Sequence, residues 1–152
     1  MQPRMNYAEA SPEIVRAMMG LETYLRGCGL ESSLLELVKL RASQINGCAY
    51  CIDMHTQDAR ARGESEQRLY LVSAWREAPF YTERERAALE WAESVTLVAN
   101  GHVSDEVYER VSKQFSAREL ADLTLGVVAI NGWNRLCISF RVPAGIYKAA
   151  NA

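Results

Sequence analysis

The chain has 152 residues, of which 49% are apolar and 24% charged, and a formal net charge of −2. This composition fits a soluble globular protein, and the length suffices for one domain with a real core, assigned here to residues 1–152 with its centre over 12–141. The mild acidity, with a pI near 5.8, argues against nucleic acid or an anionic membrane as partner.

The first residues, Met1 to Asn6, carry no apolar run behind their single charge, so no signal peptide is expected and the location is expected to be cytoplasmic. Ser11-Pro12-Glu13 reads as a helix start: a capping residue, a proline at the first helical position and an acid near the positive end. That helix carries Ile14, Val15, Met18, Met19, Leu21 and Leu25 and stops at Gly27-Cys28-Gly29. A second helix is expected from Glu31 to Asn46, with Leu34, Leu35, Leu37, Val38, Leu40, Ala42 and Ile45 nearly all round it, the mark of a buried helix. Glu36 among these leucines is unusual.

A third helix from Cys48 to Arg62, closed by Gly63, holds the densest chemistry in the chain. Cys48 and Cys51 are neighbours at i, i+3, and Cys51 and His55 at i, i+4, so all three share one face. A start at Cys48 puts both thiols in the first turn, where free backbone N–H groups favour a thiolate. In such settings thiols fall from about 8.5 to roughly 3.5–7.5. A regular helix separates i, i+3 Cβ atoms by about 5–6 Å, whereas a disulfide wants about 3.5–4.5 Å. Closing one therefore needs a local distortion, which suits a bond that cycles.

The remaining helices are expected over Glu64 to Arg76, then after the capping box Thr82-Glu83-Arg84-Glu85, then from Ser104 to Gln114. A second capping box, Ser116-Ala117-Arg118-Glu119, opens a last helix running to Phe140, with Gly126 and Gly132 as sites of close packing or a bend. The longest uncharged run in the chain, Leu123 to Asn134, lies in it and is far too short to span a bilayer. The fold class is thus all-α, a compact bundle of about seven helices.

Several readings of these residues compete. Cys48, Cys51 and His55 could be buried thiols and a core histidine. They could hold zinc, but they supply three ligands where a structural site needs four, and His102, Cys28, Cys137 or a carboxylate would have to complete it. Covalent c-type haem does not fit, because Ile52 stands where histidine must follow the second cysteine. Glu36 could pair with Lys39, or it could be a carboxylate facing the thiol helix with a pKa raised by desolvation. Local geometry alone does not bring it to His55, since it sits about 15 Å from the Asn46-Gly47 turn along its own helix. Cys28 and Cys137 read as small apolar core residues, His102 as a solvent-facing loop residue, Tyr50 as a packed tyrosine, and Trp75, Trp91 and Trp133 as core or subunit-interface anchors.

Glu36, eleven intervening residues, then Cys48-x-x-Cys51-x-x-x-His55 resembles the signature of the alkylhydroperoxidase D (AhpD) core in the carboxymuconolactone decarboxylase superfamily. The likeness continues through Ala74-Trp75-Arg76-Glu77, Glu85-Arg86-Ala87, Trp91-Ala92-Glu93 and Asn131-Gly132-Trp133-Asn134-Arg135. It implies a trimeric or hexameric assembly and a thiol-dependent peroxidase that takes a hydroperoxide and a dithiol or protein reductant, with no cofactor. By motif position, Cys51 would attack, Cys48 would resolve it as a disulfide, and His55 and Glu36 would relay protons. Peroxidases of the family can carry histidine immediately before the second cysteine, where this chain has Tyr50. The lactone decarboxylases lack the cysteine pair, so the resemblance does not imply decarboxylation. The rival reading is a non-enzymatic redox sensor or oligomeric binding module that uses the same two thiols as a switch.

Overall fold

The computed structural model describes residues 2–149 and contains eight α-helices and, among those residues, no strand. They are α1 (Tyr7–Ala10), α2 (Pro12–Gly27), α3 (Ser32–Asn46), α4 (Ala49–Ala61), α5 (Glu66–Leu71), α6 (Glu83–Thr96), α7 (Asp105–Ser112) and α8 (Ala117–Phe140), with 3-10 turns at Val72–Ala74 and Val98–Asn100. Among the described residues no helix is long and apolar enough to cross a membrane.

Side-chain caps set most of the helix starts. Thr82 and Ser116 each form a complete capping box, with Glu85 and Glu119 reaching back to the cap backbone. Ser65 and Ser104 cap α5 and α7 in the simpler way. Ser11 makes no side-chain cap, so the start of α2 rests on Pro12 instead. The sequence gives no clear signal for the one-turn helix α1, which Asn6 caps. The helix expected over Glu64 to Arg76 is shorter than its pattern: α5 ends at Leu71, and the chain tightens into the 3-10 turn that buries Val72.

The centre of the bundle is α3, which packs against α4, α6 and α8. Leu34, Leu35, Leu37, Val38, Leu40 and Ala42 are all buried, as its all-round apolar pattern predicts. One face joins Leu34, Leu35 and Val38 to Ala88, Trp91, Leu123 and Val127 of α6 and α8. The other joins Leu37 and Leu40 to Ala59, Leu69, Val72, Trp75 and Leu89. Each large apolar side chain removed from water in this way contributes about 1.5–3 kcal/mol. The two buried charges on α3 each have a partner elsewhere, Lys39 bonding Glu22 of α2 at 2.6 Å rather than Glu36. Gly126 lets α8 approach, since a Cβ there would sit 3.2 Å from Leu35 Cδ2.

Trp75 and Trp91 are core residues whose indole N–H groups donate to Glu93 and Thr124. Trp133 is half-buried and donates to Glu22.

Candidate redox site

The link between α3 and α4 decides where the sulfurs lie. Gly47 ends α3 in the left-handed region, at φ 71°, which only glycine enters without cost. The chain then turns directly into Cys48, whose amide bonds back to the carbonyl of Ser43. Cys48 is not inside the helix, as the sequence pattern had it, but is its N-cap, with extended backbone at φ −83° and ψ 93°. The departure from regular helix that an i, i+3 disulfide requires is supplied there. Cys48 and Cys51 are joined, with Cα atoms 5.3 Å apart, inside the usual disulfide range of about 4.4–6.8 Å. The Cys51 amide donates to Cys48 Sγ at 3.3 Å, so the sulfur acts as the cap.

His55 follows Cys51 by one turn and is buried. Its Nδ1 lies 2.8 Å from Glu36 Oε2, so the carboxylate accepts from the ring and orients it. The crossing of α3 and α4 therefore makes the contact that local geometry alone did not provide. The other Glu36 oxygen accepts from Arg62 at 2.7 Å. Sequence reasoning did not single out Arg62, the C-cap of α4, seven residues beyond His55.

The expectation for the Glu36 acid strength is reversed. Burial pushes its carboxyl up, but the hydrogen bond and charge of His55, the Lys39 charge and the Arg62 hydrogen bond outweigh it, and the pKa lies below the ordinary 4.5. Glu36 is held as an anion that orients and compensates the imidazole. With Nδ1–H given to Glu36, a neutral ring keeps its lone pair on Nε2, which is buried and has no hydrogen-bonding group in reach. On the solvent side a cavity of about 160 Å³ reaches Glu36 and Arg62 between Ser33, Leu37, Ala59 and Glu64.

Cys137 corrects a second expectation. It is buried, as a core residue would be, yet its sulfur belongs to the redox centre: the Cys48, Cys51 and Cys137 Sγ atoms all lie within 4.8 Å of one another. A short amide network explains the placement. Asn134, one turn before Cys137 on α8, donates to Ser43, and Asn46 donates to both Asn131 and Asn134. These bonds fix α8 to the last turn of α3, which hands the chain to Cys48. No local signal places Cys137 there. The three sulfurs are also the group that could offer a metal three ligands in the reduced state; His55 is not among them, its Nδ1 being committed to Glu36. Cys28 lies apart, its thiol donating to Leu25 O, and His102 is exposed in a turn.

Both terminal segments cover the centre. Tyr7 touches the Cys137 thiol and stacks at 5.5 Å on Phe140, and Arg4 bonds the Phe140 and Ser139 carbonyls. Burial, then the neighbouring Cys137, pushes the Tyr7 phenol up to about 12. In the C-terminal segment Gly145 N–H bonds Asp53, Gln57 bonds the Tyr147 carbonyl, and the Tyr147 hydroxyl bonds Asp58. Tyr147 also meets Tyr50 edge-on at 6.5 Å, and Tyr50 and Val142 pack against the sulfur cluster.

Comparison with known proteins places this geometry. The sequence profile described as the carboxymuconolactone decarboxylase family matches residues 12–94. The chain belongs to that family. Within it, the AhpD-like core is shared with a crystal structure from Agrobacterium tumefaciens, of a protein of unknown function described as a candidate antioxidant defence protein AhpD. The two are 46% identical, with a TM-score of 0.92, over 96% of this chain and all of that one. The uncharacterized protein YdfG of Bacillus subtilis is 45% identical over 91% of this chain and 95% of its own length. The alkylhydroperoxidase AhpD core of an uncharacterized peroxidase-related protein from Ralstonia eutropha has the same fold. It has a TM-score of 0.80 at 19% identity, over 92% of this chain and 75% of that one.

Proposed function

We propose that this AhpD-like protein is a thiol-dependent peroxidase. The observation that supports it most is the joining of Cys48 to Cys51 on the helix that also presents His55, oriented by Glu36. In this reading the Cys51 proton passes through a bridging water to His55 Nε2, and the imidazolium is stabilised by the Glu36 anion. The thiolate attacks the peroxide O–O bond, giving an alcohol and a sulfenic acid on Cys51. The Cys48 thiol condenses with that sulfenic acid, releasing water and forming the disulfide. An external dithiol or protein reductant returns both sulfurs to thiols, with two electrons and two protons. Tyr50, in place of histidine before Cys51, leaves His55 as the sole imidazole on this helix.

The same reading makes the working form a trimer or hexamer in the cytoplasm, whose reducing poise keeps the pair cycling. Exposed Ile14 and Met19 on α2 and Val128 and Ile138 on α8 supply apolar surface for such an assembly.

Turnover of cumene hydroperoxide with dithiothreitol as electron donor tests the proposal. Cys51→Ser and Cys48→Ser should each abolish sustained turnover, and a near wild-type rate in either variant refutes the mechanism. A redox sensor behaves differently: it oxidises once and consumes no further peroxide while reductant remains.

A further inference from the structure

Cys137 comes from α8, 86 residues beyond Cys51, and lies within 4.8 Å of both disulfide sulfurs. It is a free thiol, buried, and touched by the Tyr7 hydroxyl. Burial as an apolar filler does not require a sulfur to abut a disulfide and a phenol at once. The Asn134–Ser43 and Asn46–Asn131 bonds moreover hold it against the Cys48 turn.

We propose that Cys137 is a third redox thiol, which exchanges with the Cys48–Cys51 disulfide to give a Cys48–Cys137 disulfide and free Cys51. The inference deepens the peroxidase reading and rests on the pair being redox-active. In the step, Cys137 loses its proton and its sulfur attacks Cys48 Sγ. The Cys137–Cys48 bond forms, the Cys48–Cys51 bond breaks, and Cys51 leaves as a thiolate that takes up a proton. Nothing is oxidised or reduced overall, so no further reactant is needed.

The direction follows from the two possible leaving groups. Cys51 sits in the first turn of α4, where the helix end favours the anion, whereas Cys48 is the cap outside the helix. The sulfur with the more stable thiolate leaves faster. Burial pushes the Cys137 thiol up, partly offset by the neighbouring Tyr7 hydroxyl, so the attacking thiolate is scarce and exchange is slow beside closure of the first disulfide. The oxidised state is thereby handed from a link within one helix end to a link between α4 and α8, and Cys51 is freed as a thiol.

Diamide, which oxidises thiol pairs without peroxide chemistry, provides the test. Cys51→Ser keeps three of the four cysteines. Treated folded with diamide, it should lose two thiols per chain, and acid-quenched peptide mapping should find a Cys48–Cys137 link. Cys51→Ser/Cys137→Ser should show no intramolecular link. Wild-type protein oxidised and acid-trapped in the same way should carry the Cys48–Cys137 peptide beside the Cys48–Cys51 one, a measurement that needs no variant to fold. The proposal is overturned if wild type yields only Cys48–Cys51 and Cys51→Ser yields free thiols, links through Cys28 or links between chains. Because no hydroperoxide is used, loss of peroxidase turnover and loss of the exchange are separate results.

Discussion

Glu36 is the residue on which the site's electrostatics turn. One oxygen faces a buried ring and the other a guanidinium that is half exposed. Water screens the Arg62 pair, so its worth is within the roughly 0–1 kcal/mol of surface bridges, while the His55 pair is the larger share. Since the folded carboxyl titrates below 4.5, it adds stability that is fully present above the ordinary carboxylate range. That stability is lost as pH falls through the depressed folded value. Glu36→Gln should therefore destabilise the protein most near neutrality, and the gap to wild type should close in acid. Urea melts at pH 7 and pH 3.5 check this, and a gap that widens in acid contradicts the anionic assignment. In the peroxidase assay the same variant, and His55→Ala, should slow thiolate formation most at low pH, where proton removal limits the rate.

The glycine that ends α3 does as much at the element scale. Gly47 has open space around its missing Cβ, so any cost of a side chain there comes from φ alone. Gly47→Ala should lower stability by about 1–2 kcal/mol, the usual penalty for a left-handed L-residue, read as a lower urea midpoint with unchanged slope. A slower rate of disulfide closure should accompany it, because the turn aims Cys48. Elements of this kind were legible in the sequence where the signal is local. The two capping boxes, the all-round leucines of α3 and the proline at the start of α2 each act within a few residues. The one-turn spacing of Cys51 and His55 on α4 was legible, although Cys48 is the cap and not part of that helical face. What the sequence alone did not yield rests on packing between distant segments. Examples are the crossing that brings Glu36 to His55, the amide network that brings Cys137 to Cys48, and the early end of α5, where burying Val72 overrides the helical pattern. The acid strength of Glu36 was misjudged because its burial could be inferred from the sequence but not the hydrogen bond and charge of His55, with Lys39 and Arg62 behind them.

At the scale of the whole molecule, α3 is a hub that packs against the thiol helix, α6 and α8. The segments before α2 and after α8 then fold over the join, one bonded to the end of α8 and the other to α4. Cys48 and Cys51 are 2% and 1% exposed, so a bulky reductant cannot reach the disulfide while both segments lie in place. That enclosure gives the centre an optical consequence. Tyr50 packs on the sulfur cluster with Tyr147 against its edge, in a chiral and crowded setting to which tyrosine absorption responds. Reduction should alter near-ultraviolet ellipticity while the far-ultraviolet helical spectrum stays constant, and Tyr50→Phe should remove most of the change. The protein would then report its own oxidation state in real time, with no dye or label attached to a sulfur.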